Sequence, residues 1–213
     1  MDDPAVTKIP VLDCGEKLVD LGQYSGIVLD LRLADNKGLF RLARQGLAQR
    51  LSQANESLPD DLCIMVVEGY RPPNLQVQYF NAYADELKKH YPALGVRQLH
   101  SLAARYVAPP FDIPPHCAGA AIDLTLAYLD GTELDMGTQI NDSPEDSQGK
   151  CYFDSLDISP EARANRTLLA KVLKEVGLVN YPTEWWHWSY GDRYWALSTG
   201  ASRAIYGLVE VPE

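Results

Sequence analysis

Residues 114–128, PPHCAGAAIDLTLAY, set a histidine directly after a proline pair and an aspartate inside an apolar run that reads as a buried strand. His116 and Asp123 can be read here in two ways: as a turn residue and a paired core acid, or as two ligands of a metal ion. The continuation LDGTELDMG (129–137) supplies a DG turn and a short second segment, a hairpin-like pattern with Asp123 in its first strand. On the other side, APPFDIPP (108–115) reads as a loop, preceded by a short helix around RQLHSLAARYV (97–107).

Further upstream, LCIMVVEGY (62–70) has the composition of a buried strand that delivers Glu68, Tyr70 and Arg71 at its exit. The prolines of RPP (71–73) end that strand and open a helix over PNLQVQYFNAYADELKKHYP (73–92), because proline suits a first helical turn and not a sheet interior. Leu39, Leu42, Leu47 and Leu51 recur at helix-like intervals and predict a helix from Gly38 to the turn SLPDD (57–61). YSGIVLDLRL (24–33) reads as an extended segment. Downstream, NDSPEDSQGK (141–150) is a loop or lid edge, and SPEARANRTLLAKVLKEVGL (159–178) has the serine, proline and apolar period of a helix start. YPTEWWHWSYGDRYWAL (181–197) and SRAIYGLV (202–209) predict closing strands. No βαβ rhythm is present, so the expected fold is α+β: one domain over residues 1–213, with a central, mostly antiparallel sheet flanked by helices and a metal site in a cleft.

At 213 residues the chain can bury a core without disulfides or a structural metal. Its net charge of -10 argues against nucleic acid or an anionic membrane as a partner. Cys14, Cys63, Cys117 and Cys151 form no CxxC pair, which fits a reducing compartment, though two disulfides are also compatible with that number. The opening MDDPAVTKIP lacks a basic-then-apolar leader and no apolar run is long enough to span a bilayer, so a cytoplasmic location is expected. A homodimer is the expectation from the prevalence of two-fold assemblies.

Of the four histidines, His90 in KKHYP and His100 read as solvated helix residues, whereas His187 sits in EWWHW three residues after Glu184. On an extended strand those two would face opposite ways, so a bend after YPT is needed to bring them together. His116, Asp123 and His187 form a donor set that suits one catalytic zinc ion per chain, leaving a position open for water or substrate. Glu184 is then the candidate general base and Arg71 the candidate donor to a developing oxyanion. Arg71 reads equally well as a surface arginine paired with Glu68 or Asp112.

Together EGYRPPNLQ (68–76), HCAGAAIDLTL (116–126), DMGT (135–138) and EWWHW (184–188) resemble the D-alanyl-D-alanine dipeptidase branch of the zinc peptidases, which are related to D,D-carboxypeptidases and to the hedgehog signalling domain fold. The resemblance implies zinc ligands at His116, Asp123 and His187, a general base at Glu184, a transition-state donor at Arg71, and a small D,D-dipeptide as substrate. It leaves two other readings to weigh: a D,D- or L,D-carboxypeptidase of peptidoglycan stems, and a non-catalytic zinc-stabilised binding module. The sequence departs from the pattern at Pro114, where a hydroxyl residue is common, at Ala118, where an arginine is common, and at Leu33, where an aromatic residue is common. These departures bear on the substrate pocket rather than on the metal ligands. Cys117, beside a ligand, is expected to point away from the cleft.

Overall fold

The computed structural model describes residues 3–211; Met1, Asp2, Pro212 and Glu213, the ends of the expected 1–213 domain, lie outside the described residues. Seven strands are formed: β1 (Leu18–Asp20), β2 (Ile27–Leu29), β3 (Leu42–Arg44), β4 (Leu62–Glu68), β5 (Ala121–Tyr128), β6 (Val179–Asn180) and β7 (His187–Ser189). Six α-helices accompany them: α1 (Pro4–Thr7), α2 (Gln45–Glu56), α3 (Pro73–His90), α4 (Val96–Ala103), α5 (Pro160–Glu175) and α6 (Arg193–Thr199). Five strands make the main sheet in the order β2-β4-β5-β7-β6, and β1 and β3 pair separately. Within the main sheet only β2 and β4 run parallel, so the architecture is α+β with a mostly antiparallel sheet, as expected.

Strand alternation divides the sheet into two faces with different jobs. Ile64 and Val66 of β4, Ile122, Leu124 and Leu126 of β5, and Trp188 of β7 join Leu47 and Leu51 of α2 and Leu169 and Leu173 of α5 in one apolar cluster. Asp123 and His187 alternate with Ile122 and Trp188, so they project from the opposite face. On β4 a bulge between Val66 and Glu68 inserts one extra residue: Val66 pairs with Leu124, and Glu68 rather than Val67 stands beside Asp123. Val67 goes to the core cluster, and Glu68 joins the polar face. Glu68, Asp123 and His187 therefore stand in a row across three neighbouring strands.

Four segments differ from the sequence expectation. Leu39 lies in a 3-10 turn and Leu42 in β3, paired with Asp20, so the helix begins only at Gln45. Gly38, at a φ of 67°, breaks the chain direction there. Residues 193–199 form helix α6 rather than a strand: the Asp192 side chain accepts from the Trp195 amide at its start, and Gly200 closes it in the left-handed conformation. SRAIYGLV forms no strand; Ala204 makes one isolated bridge to Val11. The second arm of the expected hairpin is likewise one bridge, Ala127 to Glu133. All four cysteines are free thiols. Among the described residues no helix is long and apolar enough to cross a membrane.

Candidate metal centre and active-site cleft

His116 lies in a 3-10 turn, His116–Ala118, that follows Pro115 and ends at Gly119 with a φ of 63°. A side chain at 119 would both strain that backbone and strike Leu18. The His116 Nδ1–H donates to the Gly69 carbonyl at 2.7 Å, which leaves the Nε2 lone pair facing the sheet. There Nε2 lies 3.4 Å from Asp123 Oδ2 and 3.2 Å from His187 Nδ1, while His187 Nδ1 lies 3.0 Å from Asp123 Oδ1. His116, Asp123 and His187 are all buried.

These distances test whether a metal fits. Bonds of about 2.0–2.2 Å from nitrogen and carboxylate oxygen to a tetrahedral zinc ion place neighbouring donor atoms about 3.3 Å apart. The three spacings bracket that value, and two imidazole nitrogens and one carboxylate suit zinc chemically. The residues present therefore fit the ion.

Glu184 reaches the same place because residues 181–187 turn: the Glu184 amide donates to the Tyr181 carbonyl at 3.0 Å and the His187 amide to the Glu184 carbonyl at 3.2 Å. The bend demanded by the sequence is present, and Glu184 Oε2 lies 3.7 Å from His187 Nδ1. Burial pushes the Glu184 carboxyl up to about 7, against the opposing pull of His187. Asp123 goes the other way: burial works against its ionisation, but His116 and His187 overcome it and hold it below the usual carboxylate range.

Arg71 is paired with Glu68, as one sequence reading allowed, yet it is buried and not at the surface. Its Nε donates to Glu68 Oε1 at 2.9 Å and a terminal nitrogen donates to Oε2, a bidentate grip that fixes the plane of the guanidinium. Gln76 Oε1 takes a further N–H at 3.0 Å, and the guanidinium stacks over Tyr79 at 4.4 Å. Its Nη2 also comes within 3.9 Å of Asp123 Oδ2, at the edge of the His116, Asp123 and His187 cluster. Burial opposes the charge, and Glu68 more than restores it. Asp112, the other proposed partner, is paired with Arg193.

All five side chains singled out from the sequence line one cleft of about 420 Å³. Beyond Leu33 and the lid edge read over 141–150, sequence reading missed the rest of the wall. Gln76, Tyr79, Tyr83 and Glu86 come from one face of α3, at the three- and four-residue spacing that could have revealed them. Tyr106 and Tyr181 add aromatic walls. The polar segment 141–150 supplies Asn141, Asp142, Ser143 and Asp146 as a wall held by hydrogen bonds, among them Tyr106 Oη to the Asp142 carbonyl at 3.1 Å and Tyr83 Oη to Glu145 at 2.7 Å. His90 and His100 lie outside the cleft, on α3 and α4.

Residues 39–201 match the family model described as D-ala-D-ala dipeptidase. The chain belongs to that dipeptidase family. It is thus a peptidase, and cell-wall peptides are the family's chemistry. A D-alanyl-D-alanine dipeptidase of Synechocystis sp. is 29% identical over 240 residues, covering 95% of each chain. The D-alanyl-D-alanine dipeptidase of Escherichia coli is 29% identical, covering 80% of this chain and 83% of that one. Among solved structures, the vancomycin-resistance D,D-pentapeptidase VanY in complex with Zn(II) is similar at 16% identity, covering 81% of this chain and 84% of that one, with a TM-score of 0.49.

The positions at which this family member departs from the pattern fall in different surroundings. Leu33 lines the cleft, where an aromatic ring would take more of its volume. Pro114 is buried beside it, lining a small neighbouring cavity and offering only its carbonyl, to the Ala118 amide at 3.1 Å. Ala118 packs with Ala120 and Tyr206 away from the cleft, and Arg44 donates to its carbonyl at 2.9 Å. Cys117 is buried outside the cleft lining, and burial pushes its thiol up to about 12, which removes it as a nucleophile near neutral pH.

Proposed function

We propose that the chain is a zinc-dependent D,D-dipeptidase that hydrolyses D-alanyl-D-alanine or a similarly small D,D-dipeptide, acting as one catalytic domain. The observation that carries this reading is the convergence of His116 Nε2, Asp123 and His187 Nδ1 within 3.4 Å of one another, with Glu184 and Arg71 on their flanks. His116, Asp123 and His187 hold one zinc ion. Bound there, zinc supplies Lewis-acid polarisation of the scissile carbonyl and lowers the pKa of water. Glu184, 3.7 Å from His187 Nδ1, takes the proton from the attacking water and delivers it to the departing amine. Arg71, aimed by Glu68 and Gln76, donates to the oxygen on which negative charge grows.

Recognition of a short, doubly charged substrate follows from the walls. Glu86, Asp142 and Asp146 give the cleft wall acidic groups that suit the free ammonium of a small peptide. A non-catalytic module would have no use for a carboxylate 3.7 Å from a ligand nitrogen and not needed as a ligand itself.

The test is release of alanine from D-Ala-D-Ala, L-Ala-L-Ala, L-Ala-D-Ala and a D-Ala-D-Ala-terminated pentapeptide, each with and without a chelator. Chelator-sensitive release from the D,D-dipeptide alone is expected. Release chiefly from the pentapeptide would make the enzyme a carboxypeptidase, and equal release from the L,L-dipeptide would overturn the stereochemical assignment.

A further inference from the structure

The two histidines of the cluster differ in their outer contacts. His116 uses Nδ1–H on the Gly69 carbonyl, so its ligating nitrogen is fixed before any ion arrives. His187 turns Nδ1 towards the cluster, and its Nε2 is buried with no hydrogen-bond partner among the described residues. A neutral imidazole that gives its Nδ1 lone pair to a metal must carry its proton on Nε2. Leaving that N–H buried without an acceptor is unfavourable.

A second buried atom is in the same position. Asp192 is 4% exposed; its Oδ1 accepts from Ser189 Oγ at 3.0 Å and from the Trp195 amide at 2.7 Å, while its Oδ2 has no partner among the described residues. Ser189 lies two residues after His187 on β7, so its side chain leaves the strand on the same face. The hydrogen bond from Ser189 therefore ties the Asp192 carboxylate to the side of the sheet on which His187 stands. Burial raises the pKa of Asp192, with His187 among the influences that oppose the rise.

We infer that Asp192 is a positioning residue for the metal centre: its Oδ2 accepts the Nε2–H of His187 through one bridging water, and so commits His187 to binding through Nδ1. This rests on His187 being a ligand, as proposed above. The carboxylate then serves two structures at once, with Oδ1 starting helix α6 and Oδ2 orienting the imidazole. A buried anion behind the ring also makes it a stronger donor to a cation.

The experiment measures zinc affinity by chelator competition, together with the thermal unfolding of the zinc-free protein. Asp192→Ser keeps a short oxygen for the α6 cap and removes the oxygen aimed at His187. It should weaken zinc binding about 10–100-fold while leaving the unfolding midpoint of the zinc-free protein nearly unchanged. Nitrogen-15 spectra of the zinc-loaded wild type should show His187 protonated at Nε2, with that resonance moved in the variant. If the serine variant does not fold, Asp192→Asn is measured instead and should also lose zinc affinity. Ser189→Ala, which removes one of the two hydrogen bonds that hold the Asp192 carboxylate in place, should weaken zinc binding in the same direction but less than Asp192→Ser. A lowered unfolding midpoint with zinc affinity and the His187 resonance unchanged would reduce Asp192 to a helix cap and overturn the inference. Undiminished zinc affinity in His187→Ala would instead overturn the ligand assignment beneath it.

Discussion

A single carbonyl, that of Gly69, decides which nitrogen of His116 faces the cluster, and the chain can bring it there only because residue 69 has no side chain. A Cβ at that position would lie 2.3 Å from the Leu42 carbonyl oxygen, a backbone atom that cannot move aside cheaply. Gly69→Ala should therefore push the strand exit away from His116 and weaken zinc binding by about 10–100-fold, the cost typical of a lost outer-shell contact; titration against a competing chelator reads this directly. Arg71 makes a different kind of prediction. Its pairing with Glu68 aligns it before substrate arrives, so Arg71→Ala should lower kcat by on the order of 10²-fold with a smaller change in KM. A loss confined to KM in steady-state kinetics would recast it as a carboxylate-binding residue.

At the level of elements, β7 carries the site and the core on alternate residues. His187 faces the cluster, while Trp188 is fully buried, donates from Nε1 to the Trp185 carbonyl at 3.1 Å and meets Phe153 edge-on. Trp188→Ala should destabilise the protein by about 3–5 kcal/mol and weaken zinc binding with it. Ser159→Ala, which removes the cap of α5, should cost about 1 kcal/mol and leave turnover unchanged; denaturant unfolding and steady-state assays of both variants check the contrast. The same alternation made β5 legible in the sequence, since a charged residue among apolar ones on a buried strand must face something particular. It could not reveal α6: Tyr194 and Trp195 read as strand formers, and the helix is decided by the cap at Asp192, the left-handed Gly200 and packing against distant residues. Nor could it reveal β3, because Leu39 and Leu42 keep helical spacing by coincidence while Leu42 pairs with Asp20. The bulge that puts Glu68 rather than Val67 beside Asp123 depends on the partner strand and has no local signature.

For the whole molecule, a buried polar face held open by charge has a cost that a bound cation offsets. In zinc-free protein, Glu184 is raised from its ordinary 4.5 to about 7, chiefly by burial. The folded state then keeps a proton that the unfolded state has released, so this group's contribution to stability declines as pH rises from 4.5 to about 7. Asp123, held below its ordinary range, contributes stability that is lost only at more acidic pH. Chelated protein should accordingly unfold at a lower temperature at pH 7 than at pH 5, and saturating zinc should remove that decline, as calorimetry across the two pH values with and without metal will show. His116, Asp123, His187, Glu184 and Arg71 were all singled out from the sequence, and the fold brings the five to one cleft. Most of the cleft wall was not, because Tyr106, Tyr181 and the 141–150 segment meet only through the fold.

The most direct test of the account is Glu184→Ala, assayed in one sample for bound zinc and for hydrolysis of D-Ala-D-Ala. Full zinc occupancy with turnover abolished is the predicted result. Turnover equal to wild type would contradict the proposed base, and loss of the metal would show that Glu184 is a ligand.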